Sequence, residues 1–555
     1  MGKVIKTDVL VIGGGGAAAR AALEARLAGA EVVLVTKGSL GAIGTRGAGA
    51  TSSGMSEFGL FATPGWTGPL SEGEKPYASR FHIPVEQAFA NIIQVGLGMA
   101  DPKLARILVE EAAGTRSKLI NWGASFGEAG IRSHGVPIMQ ALLCHIRRAN
   151  IPIQERTMIV DLLAEHGECL GAVGVDEMNG ETVVVNASAT VIATGGDANL
   201  FKLNLNPPCT TGDGYTMGYE AGAELLNLEF KQIFLGTVYP TKNMLIRALP
   251  PNVKLVNVRG EEFLQNYLPE GVSVQECLAQ RQLHNPFSTR DTLSRYVDIG
   301  IMREVQAGGG TGRHGVYLDR RDSKIPPLAV ERNEFWIYRG VDFVRSLVEV
   351  GVCHHSSLGG FRIDENAETT LPHLYAAGET AAGPHGADRM GGHMLLASQV
   401  FGARAGRHGA AYAKGRKPPI VSSGTLNTAQ ERIEVLRHRK GKGKPADVKT
   451  KLQEVAYYGM LLMKNKESLS KFLSDLESIR WEFIPHLSVA TSQDLINALE
   501  LQNLLLLANL EAKVCLERTE SRGPPYREDF PQQDDKNWLK SITVKKLNGN
   551  PQLDI

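Results

Sequence analysis

Val9 to Ile12 is an unbroken apolar run closed by four glycines, and the segment TDVLVIGGGGAAARAALEARLAGAEVVLVTKG continues into an alanine-rich stretch and a second apolar run. A short apolar run bounded by glycine is the pattern of a strand buried on both faces of a parallel sheet. Ala17 to Ala28 reads as a helix, Gly29 as its stop and Glu31 to Thr36 as the next strand. Two apolar runs far downstream end the same way. ATVIATGGDANLF stops at Ala193-Thr194-Gly195-Gly196, and HLYAAGETAAG stops at Gly378-Glu379. Strands that end in glycine beside a polar group suit the carboxyl edge of a doubly wound sheet, where such sheets bind ligands. Near the C-terminus the period changes. Leu501, Leu504, Leu505, Ala508, Ala512 and Cys515 recur at helical spacing, an apolar stripe expected to pack as bundle core. The basic stretch RHRKGKGKPADV reads as a solvated link into that helical part.

At 555 residues the chain exceeds one ordinary core and should divide into several domains. Its 43% apolar and 21% charged residues are those of a folded protein, and a net charge of +1 gives no sign of a nucleic-acid partner. The six cysteines form no CxxC pair, which argues against an iron–sulfur or zinc site in this chain and against a disulfide framework. With no signal peptide and no apolar run of about 18 residues, the expectation is a cytoplasmic protein with no membrane span of its own, meeting a membrane at most through partners.

Gly13-Gly14-Gly15-Gly16-Ala17-Ala18 is a G-x-G-x-x-A fingerprint set between strand and helix. Gly13 permits the tight turn, Gly15 lets backbone N–H groups approach a pyrophosphate at the helix N-terminus, and Ala18 keeps helix and strand close. The second strand ends in Thr36-Lys37 where an acid would hold the ribose of an ordinary NAD site. GAIGTRGAGATSSG, residues 41–54, is small and hydroxylated, and reads as backbone wrapped around a planar cofactor. Glu379 is placed to accept a ribityl hydroxyl. No second fingerprint is visible, which argues against direct NAD(P)H use.

In that order these motifs, with TGDGYTMGYEAGAEL, TRDTLSR, HSSLGGF, GPHGADRMGGHML and ESRGPPYREDFPQQDDKNWL, resemble the flavoprotein subunits of succinate dehydrogenase and fumarate reductase, together with L-aspartate oxidase. The resemblance spans nearly the whole chain. It implies an α/β fold with a Rossmann-like FAD-binding domain in two pieces, 1–229 and 353–417. An α+β capping domain, 230–352, is inserted between them, and a C-terminal helical domain with its tail occupies 418–555. It places FAD against Gly13, Gly15, Gly16, Ala18, Thr36, Lys37, Thr45, Gly47, Ala48, Gly49, Ala193, Thr194, Gly195, Asp213, Glu379, Arg389, Met394 and Leu395. A helix beginning near Leu395 would direct its positive end at the flavin. The catalytic residues it implies are Arg290, His355 and Arg389. Arg389 would grip a substrate carboxylate with its planar fork. His355 would bind the same group. Arg290 would serve proton transfer or charge stabilisation, oriented by Asp291. No metal site is implied. The partners implied are a small carboxylate substrate and an iron–sulfur or other electron-transfer subunit.

This chain departs from the family pattern in places. The histidine that tethers FAD covalently in the respiratory complexes falls at Gly44, so the FAD should be non-covalent. A second substrate-binding histidine falls at Phe234, with Tyr239 as a stand-in if the alignment is gapped. The distal half of the substrate pocket therefore looks rebuilt and more apolar, and the expected substrate is an acid other than fumarate. The leading expectation is interconversion of C–C and C=C beside a carboxylate. The alternatives are an amino-acid oxidase of the L-aspartate oxidase type and a flavin electron-transfer subunit with a degenerate site.

Overall fold

The computed structural model describes residues 3–41, 51, 57–58, 83–126, 133–242, 244–246, 249, 252–281, 288–289, 292–322, 342 and 345–555. Strand β1 (Lys3–Ile12) runs into the glycine turn, helix α1 (Gly16–Leu27) follows, and β2 (Val32–Val35) returns parallel to β1. The strands β3 (Ile153–Gln154), β4 (Thr157–Glu165), β5 (Glu168–Asp176) and β6 (Thr182–Ile192) complete the path β3-β2-β1-β6-β5-β4. Val9, Leu10, Val11 and Ile12 are all buried, as a doubly covered strand requires. Helix α1 stops where Gly29 takes a φ of +95°.

The register of β6 positions the site. One edge of β6 pairs in parallel with β1 along its length. Its other edge is divided between antiparallel β5, which covers Thr182–Asn186, and a later strand that covers Thr190–Ile192 in parallel. As a result Ile12, Ile192 and Ala376 stand in one row, and the three glycine-bearing ends leave the sheet side by side.

Between β6 and that later strand lie helix α2 (Asp213–Glu220) and the strands β7 (Lys231–Tyr239), β8 (Lys254–Val256), β9 (Val316–Asp319) and β10 (Val348–Ser357). These four strands form a separate sheet in the order β7-β10-β9-β8. β10 runs through the expected domain boundary at 352/353, so one strand carries the chain from the cap back to the large sheet. It is followed by β11 (Leu374–Ala376), the strand that closes the row on β6.

Helix α3 (His393–Ala413) crosses α1 at close range. A Cβ at Gly406 would sit 2.2 Å from the Ala21 carbonyl oxygen, and one at Gly402 would sit 2.8 Å from that of Ala17. The chain ends in α4 (Ser423–Arg437), α5 (Pro445–Met460), α6 (Lys466–Glu482) and α7 (Ser492–Glu517), with a terminal β-hairpin. The apolar stripe of α7 is buried from Leu501 to Cys515. The basic link before α5 is a pinned loop, with Gly441 N–H donating to Leu487 O at 2.8 Å and Ser488 N–H to Gly443 O at 2.8 Å.

Candidate functional site: a glycine-edged cleft and a buried arginine

The three strand ends open onto a cleft of about 950 Å³. Gly13, Gly15, Gly16, Thr36, Lys37, Ala193, Thr194, Gly195, Asp213, Glu379, Met394 and Leu395 all line it. Ala18 does not: it is fully buried between α1 and the sheet, the packing role its position in the fingerprint assigns. Thr45, Gly47, Ala48 and Gly49, like Gly44, lie outside the described residues.

Gly13 takes a φ of +136°, and a Cβ there would lie 2.2 Å from the Ala193 carbonyl oxygen. A Cβ at Gly15 meets nothing within 4 Å, which leaves that side of the turn open to a ligand. The N-cap of α1 makes no side-chain hydrogen bond and its first turn holds no acid. One of its N–H groups, that of Gly16, donates to Thr51 Oγ1 at 3.1 Å. Helix α3 also starts bare, from Gly392 in a left-handed conformation. Two positive helix ends therefore face one elongated cleft.

Lys37 takes the place of a ribose-binding acid, and its ammonium is engaged by protein groups. Nζ donates to Thr211 Oγ1 at 2.6 Å and to Asp213 Oδ2 at 2.7 Å, and pairs with Glu500 Oε1 at 3.0 Å. Glu500 belongs to α7, and Asn503 on the same helix donates to Asp213 Oδ1 at 2.9 Å. The C-terminal helix is thereby riveted to the cleft wall.

Glu379 accepts the Ser357 N–H at 2.9 Å and faces the cleft. Burial, reinforced by the nearby Asp197 charge, pushes its carboxyl up to about 7.

Arg389 stands apart from the cleft lining, buried in the loop before α3. Nη2 donates to Gln232 Oε1 at 2.6 Å and Nη1 to the Met390 carbonyl at 3.0 Å. Nε has no acceptor among the described residues. Burial lowers the guanidinium to about 10, and the Asp388 and Glu379 charges oppose that, so it remains a cation at neutral pH.

Around it are imidazoles held neutral. His355 is pushed well below its ordinary value by burial, then by Arg389 and by His354. His385 is pushed down by burial, Arg389 and His393. His355 Nδ1 and His385 Nε2 are buried without a partner among the described residues. Arg389 and His355 thus lie close enough for the charge of one to act on the other, while Arg290 and Asp291 lie outside the described residues.

The neighbouring His354 is structural. It stacks on Phe201 with ring centroids 5.1 Å apart, its Nε2 lies 3.3 Å from Ser357 Oγ, and burial drives it down to about 3. Phe234 packs edge-on against His355, centroids 4.9 Å apart, among Leu205 and Cys353. Tyr239 does not replace it. That ring is 52% exposed beneath Arg313, at the opposite end of β7 from Gln232.

Several polar residues of the site escaped the sequence reading. Gln232 and Lys231 sit inside EFKQIF, and Asp388 precedes Arg389. Lys231 Nζ reaches Asp197 Oδ2 and Glu511 Oε1, each at 2.6 Å, in full burial. Lys231 and Gln232 showed only as a charge and an amide interrupting an apolar strand, and Asp388 only as a polar residue in a glycine-rich loop.

A glycine-edged cleft at bare helix ends, with a buried cation nearby that is hydrogen-bonded to an inserted lid, the sheet β7-β10-β9-β8, is the site of a dinucleotide-binding flavoenzyme. Comparison with known proteins agrees. Residues 8–395 match the FAD binding domain family, and residues 449–555 match the fumarate reductase flavoprotein C-terminal family. One subunit of the fumarate reductase (CoM/CoB) of Methanothermobacter marburgensis is 32% identical, over 98% of each chain. The L-aspartate oxidase of Streptomyces coelicolor is 27% identical over 98% of this chain and 92% of its own. The solved Mycobacterium smegmatis Sdh1 in complex with UQ1 superposes with a TM-score of 0.82 at 26% identity, covering 99% of this chain and 93% of the other. The chain belongs to the family of succinate dehydrogenase and fumarate reductase flavoprotein subunits. It is an FAD-dependent oxidoreductase, and no helix among the described residues is long and apolar enough to cross a membrane.

Proposed function

We propose that the protein interconverts a C–C single and double bond beside a substrate carboxylate and exchanges the electrons with a separate partner protein, such as an iron–sulfur subunit. The observation that carries this reading is Arg389, a buried cation whose Nε donor has no partner among the described residues, set among neutral imidazoles and joined to the lid. A buried cation with spare donors is stabilised by an anionic ligand.

FAD when bound supplies hydride transfer at N5. The open face of Gly15 and the first turn of α1 suit its pyrophosphate, and the Glu379 carboxyl suits a hydroxyl of the ribityl chain. The first turn of α3, at Met394 and Leu395, offers N–H donors and a positive helix end to the redox ring. Gly44 has no side chain to bond the cofactor, so acid denaturation should release the flavin into the supernatant.

Arg389 holds the carboxylate and stabilises charge that builds on it during transfer. His355 and His385, kept neutral, add hydrogen bonds without competing for the anion. Phe234 closes the site beside His355 with an apolar edge, which favours a substrate whose far arm is apolar or an amide over a second carboxylate.

Assay of the purified holoprotein with fumarate and a reduced viologen dye tests the substrate class. Slow or absent turnover is expected, with crotonate-type monocarboxylates performing better; fast fumarate turnover overturns it. The full-length likeness to an L-aspartate oxidase favours one second reading, amino-acid oxidation. Peroxide released on adding L-aspartate under air would establish that reading instead.

A further inference from the structure

Four side chains form an unbroken buried chain from the lid to Arg389. Ser288 Oγ donates to Asp388 Oδ2 at 2.8 Å. Gln232 Nε2 donates to Asp388 Oδ1 at 2.7 Å and to the Arg389 carbonyl at 2.8 Å. Gln232 Oε1 accepts Arg389 Nη2 at 2.6 Å and Ser356 Oγ at 3.4 Å. Asp388 Oδ1 also accepts the Arg389 backbone N–H at 2.9 Å. Ser288, Gln232 and Asp388 are at most 1% exposed.

A side-chain amide has two donors and two lone pairs, and here all four are used. Its sense is not free. Asp388 presents only acceptors to Gln232, so the NH₂ must face Asp388 and the oxygen must face Arg389. Reversed, the amide would set donor against donor at the guanidinium and acceptor against carboxylate at Asp388, each costly in a dry interior.

We propose that Asp388 is a positioning residue that acts through Gln232: its carboxylate fixes the sense of the amide, and the amide fixes the Arg389 guanidinium in register for a substrate carboxylate. This rests on the reading of Arg389 as the anion-binding cation. Ser288 and Gln232 come from the lid while Asp388 and Arg389 come from the loop before α3, so lid placement and arginine register are set by one network. The substrate class that depends on it is a small carboxylate, and the property it controls is affinity for that group.

The test uses FAD-loaded full-length protein, with crotonate and fumarate as probes. Affinity is read from the flavin difference spectrum and from calorimetry, and kcat and KM are measured separately. Asp388→Leu leaves the amide free to reverse and should weaken carboxylate binding about tenfold or more, the scale of a hydrogen bond to a charged group. KM should rise more than kcat falls. Asp388→Asn can keep its oxygen toward Gln232 and offer its NH₂ to the Ser288 hydroxyl, which can accept it, so affinity should return to within about threefold of wild type. Flavin content and melting temperature of each variant show that it has folded.

If Asp388→Leu folds and binds both acids as wild type does, the proposal is overturned. It is also overturned if Asn fails to restore what Leu removes, because the carboxylate would then act by charge alone. Arg389→Lys separates this failure from that of the underlying reading. Loss of binding in Arg389→Lys with none in Asp388→Leu removes the positioning role only. Binding unaffected by either substitution, or no response of the wild-type flavin to either acid, removes the anion site and the proposal together.

Discussion

Gln232 and Arg389, 157 positions apart in the chain, meet through a 2.6 Å hydrogen bond that leaves the guanidinium Nε without a partner among the described residues. One nitrogen is spent on orientation while another stays open to a ligand. Arg389→Ala should therefore lower kcat/KM for whichever acid the protein turns over by roughly 10²–10³, the scale seen when one donor to developing charge is removed. Flavin content should be retained, since Arg389 does not line the main cleft. Steady-state kinetics together with the flavin-to-protein absorbance ratio check this. Retained kcat/KM would exclude Arg389 from the reaction.

Gly13 and Gly15 should fail in different ways. A Cβ at Gly13 strikes the backbone oxygen of Ala193 at 2.2 Å, in a conformation with φ of +136°, and backbone cannot step aside. Gly13→Ala should destabilise even the apoprotein, with about 1–3 kcal/mol from the backbone conformation alone and more from the overlap. Gly15 has open space around its Cβ position and an ordinary φ of −91°. Gly15→Ala should leave the apoprotein within about 0.5 kcal/mol, yet weaken FAD at least several-fold. Apoprotein melting curves and FAD titrations separate the two, and equal behaviour of the variants would sink the pyrophosphate assignment.

The carboxyl of Glu379, raised to about 7 by burial and then by Asp197, makes the apoprotein pH-sensitive. Because its folded value lies above the ordinary 4.5, the native state binds the proton more tightly than the unfolded chain does. The stability this confers is present below pH 4.5 and is lost as pH rises through about 7. The buried imidazoles of His354, His355 and His385 work in the opposite sense, since each is pushed below 6.5 and each costs stability as pH falls through that value. The informative quantity is thus the difference between wild type and Glu379→Gln. That difference should shift in favour of the glutamine variant as pH rises from 5 to 8 in apoprotein melting experiments. A difference that is flat with pH would mean Glu379 is not titrating in this window.

How far the sequence carried the reading depends on the range of the interaction concerned. β1, α1 and β2 were legible because an apolar run, a glycine turn and an alanine-rich stretch each act locally. That β6 shares one edge between β5 and β11 was not legible, because a strand's pattern does not name its partners. The passage of β10 through residue 352 had no marker either, since a buried strand reads alike in either domain. At the site, Arg389 and His355 came from the resemblance. Gln232, Asp388 and Ser288 went unread because their importance lies in hydrogen bonds spanning 100 and 156 positions. Strand geometry separates Phe234 from Tyr239: the position two residues from Gln232 lies beside His355, and the one seven residues away is half exposed beneath Arg313.

Lys231, Asp197 and Glu511 supply the last prediction. Lys231 comes from the lid, Asp197 follows the Ala193–Gly196 strand end, and Glu511 comes from α7, so one buried cluster joins all three parts of the chain. A single ammonium cannot support two buried carboxylates. Although burial works against ionisation of Asp197, Lys231 and a hydrogen bond from Glu511 hold its carboxyl well below the usual range. Glu511 goes the other way, pushed well above its usual range by burial and by the Asp197 charge. The expected state at neutral pH is one ammonium, one carboxylate and one neutral acid, which two variants test. Glu511→Gln replaces a neutral acid by a neutral amide that can still donate to Asp197 and accept from Lys231, and should change stability by about 1 kcal/mol or less. Lys231→Met strands the Asp197 charge in a dry interior and should cost about 3–5 kcal/mol, loosening the lid and α7 together. Denaturant midpoints at pH 7 with FAD saturating rank the variants. A Glu511→Gln loss as large as that of Lys231→Met would mean that both acids are ionised and that the charge assignment is wrong.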